Sequence, residues 1–131
     1  MDILKYLATY GSGFLTILVL DYVWLGIVTK NFIIKEFWSL VSVTNNSIDI
    51  NLPAGLLAWL SIALMVVTFV TLRFTWYGTI ALYGAIMWFL MYAMYDLTNL
   101  TFLKDYPVSF VMIDIAWGTF LCAMITVAMF A

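Results

Sequence analysis

Three aspartates, Asp21, Asp96 and Asp114, stand inside stretches that are otherwise apolar, each with an aromatic or amide residue at helical spacing. Tyr92, Asp96 and Asn99 are four and three residues apart and share one helix face, while Asp114 shares its face with Trp117 and Asp21 with Trp24. Carboxyl groups in such a setting suit two kinds of chemistry. They can bind a proton or a cation, or they can act on a substrate as a pair, one neutral acid and one ionised base. Either use has a cost, because an ionised carboxylate at mid-depth in a bilayer is unfavourable by roughly 2.5–3.5 kcal/mol or more.

The elements that must position these groups are membrane spans. Of the 131 residues, 66% are hydrophobic and 9% charged, outside the range of soluble domains, and the length allows a single domain. The sequence predicts an all-α fold, an integral membrane four-helix bundle with spans at 6–28, 53–72, 77–99 and 108–130. Residues 31–43, which mix Lys35 and Glu36 with bulky apolar side chains, are expected to lie along the interface between the first two spans. Asn45, Asn46, Ser47 and Asp49 are turn formers, and Pro53 suits the first turn of the next helix. Span two carries no ionisable residue and is expected to be scaffold.

Composition also excludes several functions. There is no histidine and only one cysteine, Cys122, so the usual haem, zinc and di-iron ligand sets are missing and no metal site or cofactor is expected. No basic run suggests nucleic acid as a partner. Small residues at Gly11, Gly13, Gly78, Ala81 and Ala85 are expected to let helices approach closely, within the chain or between copies in a homo-oligomer.

Alternating direction brings the acids to one level. Asp21 lies nine residues before Lys30, Asp96 eight before Lys104, and Asp114 seven after Pro107, which puts all three roughly 10–14 Å below the same surface. The long first loop lies on that side as a possible lid. Asp-x-x-Trp occurs twice, at Asp21–Trp24 and Asp114–Trp117, where the indole N–H can donate to the carboxylate one turn away or to a neighbouring helix. No lysine or arginine sits at that depth, so a bound proton or cation is the expected source of compensation.

Tyr95-Asp96-Leu97-Thr98-Asn99, Lys104-Asp105-Tyr106-Pro107 and Asp114-Ile115-Ala116-Trp117-Gly118 carry a resemblance to the bacterial membrane-protein family known as domain of unknown function 2177. The resemblance covers the whole chain, with Leu20-Asp21 and Trp24-Leu25 in the first span, and differs at Tyr106, where family members usually have tryptophan. It implies a four-span, multi-pass protein of the bacterial inner membrane and supports Asp21, Trp24, Tyr92, Tyr95, Asp96, Asn99, Asp114 and Trp117 as binding residues. It implies no activity. The residues point first to a proton- or cation-linked transporter or channel subunit; the alternatives are a membrane enzyme or accessory factor acting on a lipid or isoprenoid, and an assembly protein that receives a partner's helix. An apolar groove leading from lipid to the acids would mark the second.

Overall fold

The computed structural model describes residues 3–131, so the N-terminal amine and Asp2 lie outside the described residues. Helix α1 (Ile3–Val23) runs into a π-helical turn (Trp24–Val28), and a short helix α2 (Lys30–Glu36) follows. Helix α3 (Leu52–Val66) is likewise prolonged by a π-helical turn (Val67–Thr71), before α4 (Tyr77–Phe102) and α5 (Val108–Phe130) complete the chain. Four stretches, Ile3–Val28, Leu52–Thr71, Tyr77–Phe102 and Val108–Phe130, are long and apolar enough to cross a membrane. The fold is all-α in its spans, as the hydropathy pattern predicts.

Between α1 and α3 the structure corrects one expectation. The interfacial helix covers only Lys30–Glu36, and the chain then turns and forms a small antiparallel hairpin, β1 (Val43–Thr44) with β2 (Ser47–Ile48). Asn45 and Asn46 sit at φ 49° and 60°, the left-handed pair that a two-residue hairpin turn requires and that asparagine tolerates. Asn51 Oδ1 accepts from the Ala54 N–H at 3.2 Å, and Pro53 occupies the first turn of α3, where it gives up no helical hydrogen bond.

Helix α5 packs along α4 and against α1; α1 packs in turn on α3. At the end remote from the hairpin, Ile17, Ala63, Val66, Val67, Trp88, Leu121, Cys122, Ile125 and Met129 form a buried apolar core. Helix α3 reaches α4 chiefly through its π-helical end. Nearer the hairpin a gap opens between the two helices, lined by Asp21 and Asp114 among aromatic and apolar side chains. Phe37, just after α2, packs edge-on against Phe110 at 4.8 Å and Tyr106 at 5.6 Å, fastening the first loop to the α4–α5 turn above this gap.

Candidate functional site

Asp21 lies in the last turn of α1, three residues before the π-helical turn begins at Trp24, and is almost fully buried. Its Oδ2 accepts from Trp59 Nε1 at 2.9 Å and its Oδ1 from Trp117 Nε1 at 3.3 Å. The extra residue per turn leaves the Trp24 carbonyl to receive both the backbone N–H and the hydroxyl of Thr29, each at 2.8 Å. Trp24 itself stacks on Trp117, with ring centroids 4.2 Å apart and planes 4° from parallel. The repeated Asp-x-x-Trp therefore meets across antiparallel helices: Trp117 donates to the aspartate of α1, and the two indoles stack.

Asp96 and Asp114 form a second unit. Asp96 is wholly buried on α4, and its carboxyl group lies within hydrogen-bonding reach of that of Asp114 on α5. Its Oδ1 accepts from the Tyr106 hydroxyl at 3.0 Å, which in turn accepts from Asn99 Nδ2 at 3.5 Å. Oδ2 has no N–H or O–H donor among the described residues. Burial pushes the Tyr106 phenol well above the usual tyrosine range, with the neighbouring Asp96 adding to the rise against the Asn99 hydrogen bond, so the hydroxyl stays a donor. Among the described residues no lysine or arginine lies beside any of the three aspartates.

Tyr92 stands between the two units, within electrostatic range of all three carboxyl groups, its ring against Gly118. A cleft of about 540 Å³ opens here between α3 and α4, walled by Ala58, Trp59 and Ile62 on one side and Met91, Tyr92 and the exposed Tyr95 on the other. Asp21, Asp114, Trp24 and Trp117 lie at its inner end.

Residues 6–131 match the family described as predicted membrane protein (DUF2177). The chain belongs to this family. No curated protein and no solved structure matched it. In this DUF2177 chain Tyr106 joins Asp96 to Asn99, and Asp114 meets Asp96 directly. The structure holds Asp21 apart from them between indoles, with Tyr92 linking the two units.

Two site residues escape the sequence reading. Span two is not mere scaffold, because its Trp59 makes the shorter of the two bonds to Asp21. The available signal was its depth: Trp59 lies seven residues into α3, about 10 Å along it, at the level of the acids and too deep for an interfacial anchor. Tyr106 reads as an interfacial aromatic but turns inward to Asp96. Chemically, Asp21 is a satisfied acceptor, whereas Asp96 and Asp114 face each other with a donor missing, a place for a shared proton.

Proposed function

We infer that this DUF2177 protein is a multi-pass protein of the bacterial inner membrane that binds a membrane-dissolved amphiphile, a lipid or isoprenoid. The Asp96–Asp114 pair then acts on a polar group of that ligand as acid and base. The observation that carries this reading is the cleft between α3 and α4, apolar and aromatic in its walls and ending on Asp21 and Asp114. Two carboxyl groups in contact without a basic neighbour are held together by one proton between them, which offers a neutral acid and an ionised base side by side.

A second reading, a proton- or cation-linked transporter or channel subunit, draws on the same acid pair. Within one chain the core of Ile17, Val66, Val67, Leu121 and Ile125 fills the bundle between these acids and the far surface. Transport would therefore require a homo-oligomer, for which the face at Gly11, with open space beside its Cα, is a candidate contact.

The two readings separate in one experiment. Protein taken from native membranes into lipid discs should retain a lipid or isoprenoid of defined mass in native mass spectrometry. Ala58→Trp, which fills the cleft from its exposed wall, should lose that ligand while keeping the wild-type melting temperature. No retained ligand, together with proton-driven flux in liposomes, would overturn the amphiphile reading in favour of transport.

Orientation belongs to the same proposal, with the hairpin side cytoplasmic because its loop carries Lys30 and Lys35. Cys122 is buried, so Ser47→Cys and Thr75→Cys each add one exposed thiol. An impermeant maleimide should label Thr75→Cys in intact cells and spare Ser47→Cys; the reverse pattern would invert the topology.

A further inference from the structure

A second cavity, of about 630 Å³, lies under the hairpin. Ile33, Ser47, Ile48 and Ile50 form its outer wall, and Asp21, Leu25 and Trp59 line both this cavity and the α3–α4 cleft. The two spaces therefore adjoin at Trp59 and Asp21. Both have the volume of small-molecule sites.

Charge in this pair of spaces is uneven. Lys30 is the only lysine or arginine on either lining, and it stands at the outer end, nine residues or about 13 Å of helix from Asp21. Among the described residues no carboxylate pairs with it. At the inner end each oxygen of Asp21 accepts one indole N–H, and a carboxylate there disfavours an anionic head, which leaves the Lys30 end for it. The remaining walls are almost wholly apolar. An amphiphile standing in the bilayer meets this order of groups from its head inward: a positive charge near the surface, then hydrocarbon, then the cleft at mid-depth.

We propose that the hairpin cavity is the headgroup end of the binding site and selects an amphiphile with an anionic head, held by Lys30. Its chain passes Trp59 into the α3–α4 cleft. The proposal rests on the amphiphile reading given above and adds the class of ligand. Gly26 belongs to the same design. A Cβ there would meet only the Tyr22 ring, at 3.7 Å, so the missing side chain leaves the cavity open without being required by the packing.

The test uses the full chain in phosphatidylcholine nanodiscs with doxyl-labelled stearic acid at alkaline pH, where its head is a carboxylate, and with the corresponding methyl ester. Electron paramagnetic resonance reads the protein-immobilised fraction. The acid should be preferred over the ester by about two- to fivefold, the scale of one ion pair near a protein surface. Lys30→Gln should abolish that preference, and Lys35→Gln, an exposed neighbour that does not line the cavity, should keep it. Gly26→Leu should exclude the acid at an unchanged melting temperature. Equal immobilisation of acid and ester by the wild type would overturn the headgroup assignment while leaving the cleft as a lipid site. A preference that survives Lys30→Gln, or an acid that still binds the Gly26→Leu protein, would likewise overturn it. Immobilisation of neither probe would count against the amphiphile reading itself.

Discussion

Gly84→Ala and Gly118→Ala are each expected to destabilise the folded protein by about 1–3 kcal/mol, a large effect for one methyl group. Alanine favours a helix over glycine by about 0.8–1.0 kcal/mol, so a net loss requires steric cost that exceeds this gain. Both sites supply it. A Cβ on Gly84 would stand 2.6 Å from Thr126 Cγ2 and 2.7 Å from its Oγ1. Thr126 cannot turn aside, because its hydroxyl already donates to the carbonyls of Cys122 at 2.7 Å and Ala123 at 2.9 Å and its branched Cβ is stiff. A Cβ on Gly118 would stand 2.6 Å from both Cγ and Cδ2 of Tyr92, atoms too near the α4 backbone to swing clear. Gly13→Ala is the comparison: its obstacle is Met129, buried but unbranched, whose Cε, Sδ and Cγ must all give way, so its cost should be smaller than at Gly84 and Gly118. Chemical unfolding in detergent micelles reads all three. Equal, slight effects at all three would mean that α4 and α5 do not approach as closely as Gly84 and Gly118 imply.

The spans were legible because they rest on a strong signal. Long apolar runs have few alternatives, and a carboxylate such as Asp96 inside one is costly enough to need a structural or chemical reason. The burial of Asp21 and Asp96 was legible too, since ionisable groups in spans face the bundle interior. Partnership was not. Whether Asp21 faces Asp114 or the indoles of Trp59 and Trp117 depends on how each helix is rotated, and nearly uniform hydrophobicity around the spans leaves rotation undetermined. The π-helical turn after Asp21 changes that rotation again with no mark in the sequence. The hairpin escaped for another reason: strands of two residues have no periodicity to read, although Asn45 and Asn46 announced the turn between them. Gly13 illustrates the same ambiguity in small residues, for it serves packing against Met129 inside the chain.

The three acids should respond differently to the same isosteric change. Asp96→Asn can keep Oδ1 as the acceptor of the Tyr106 hydroxyl and place an N–H₂ where Oδ2 lacks a donor, next to the Asp114 carboxyl. The amide then supplies the hydrogen that a shared proton supplies in the wild type, so stability at neutral pH should change by less than about 0.5 kcal/mol. Asp21→Asn has no such substitute. Its single amide oxygen can receive only one of the two indole N–H groups, and the other is left buried without an acceptor, at a cost of about 1–2 kcal/mol. Asp21→Ala abandons both indoles and should cost about 2–4 kcal/mol. pH gives an independent check on the pair. If Asp96 and Asp114 are joined by one proton that the unfolded chain would have lost, wild-type stability falls as the pH rises from the ordinary carboxyl range to the point where that proton leaves. The Asp96→Asn protein should lack that fall. Thermal unfolding of the single variants and of the Asp96→Asn/Asp114→Asn double variant across pH, with the infrared carboxyl band as a direct readout of the proton, tests these expectations together. An Asp96→Asn protein as damaged as Asp21→Asn, with an unchanged pH profile and no protonated carboxyl band lost, would show that no proton is shared. The acid–base role proposed for the pair would then fall with it.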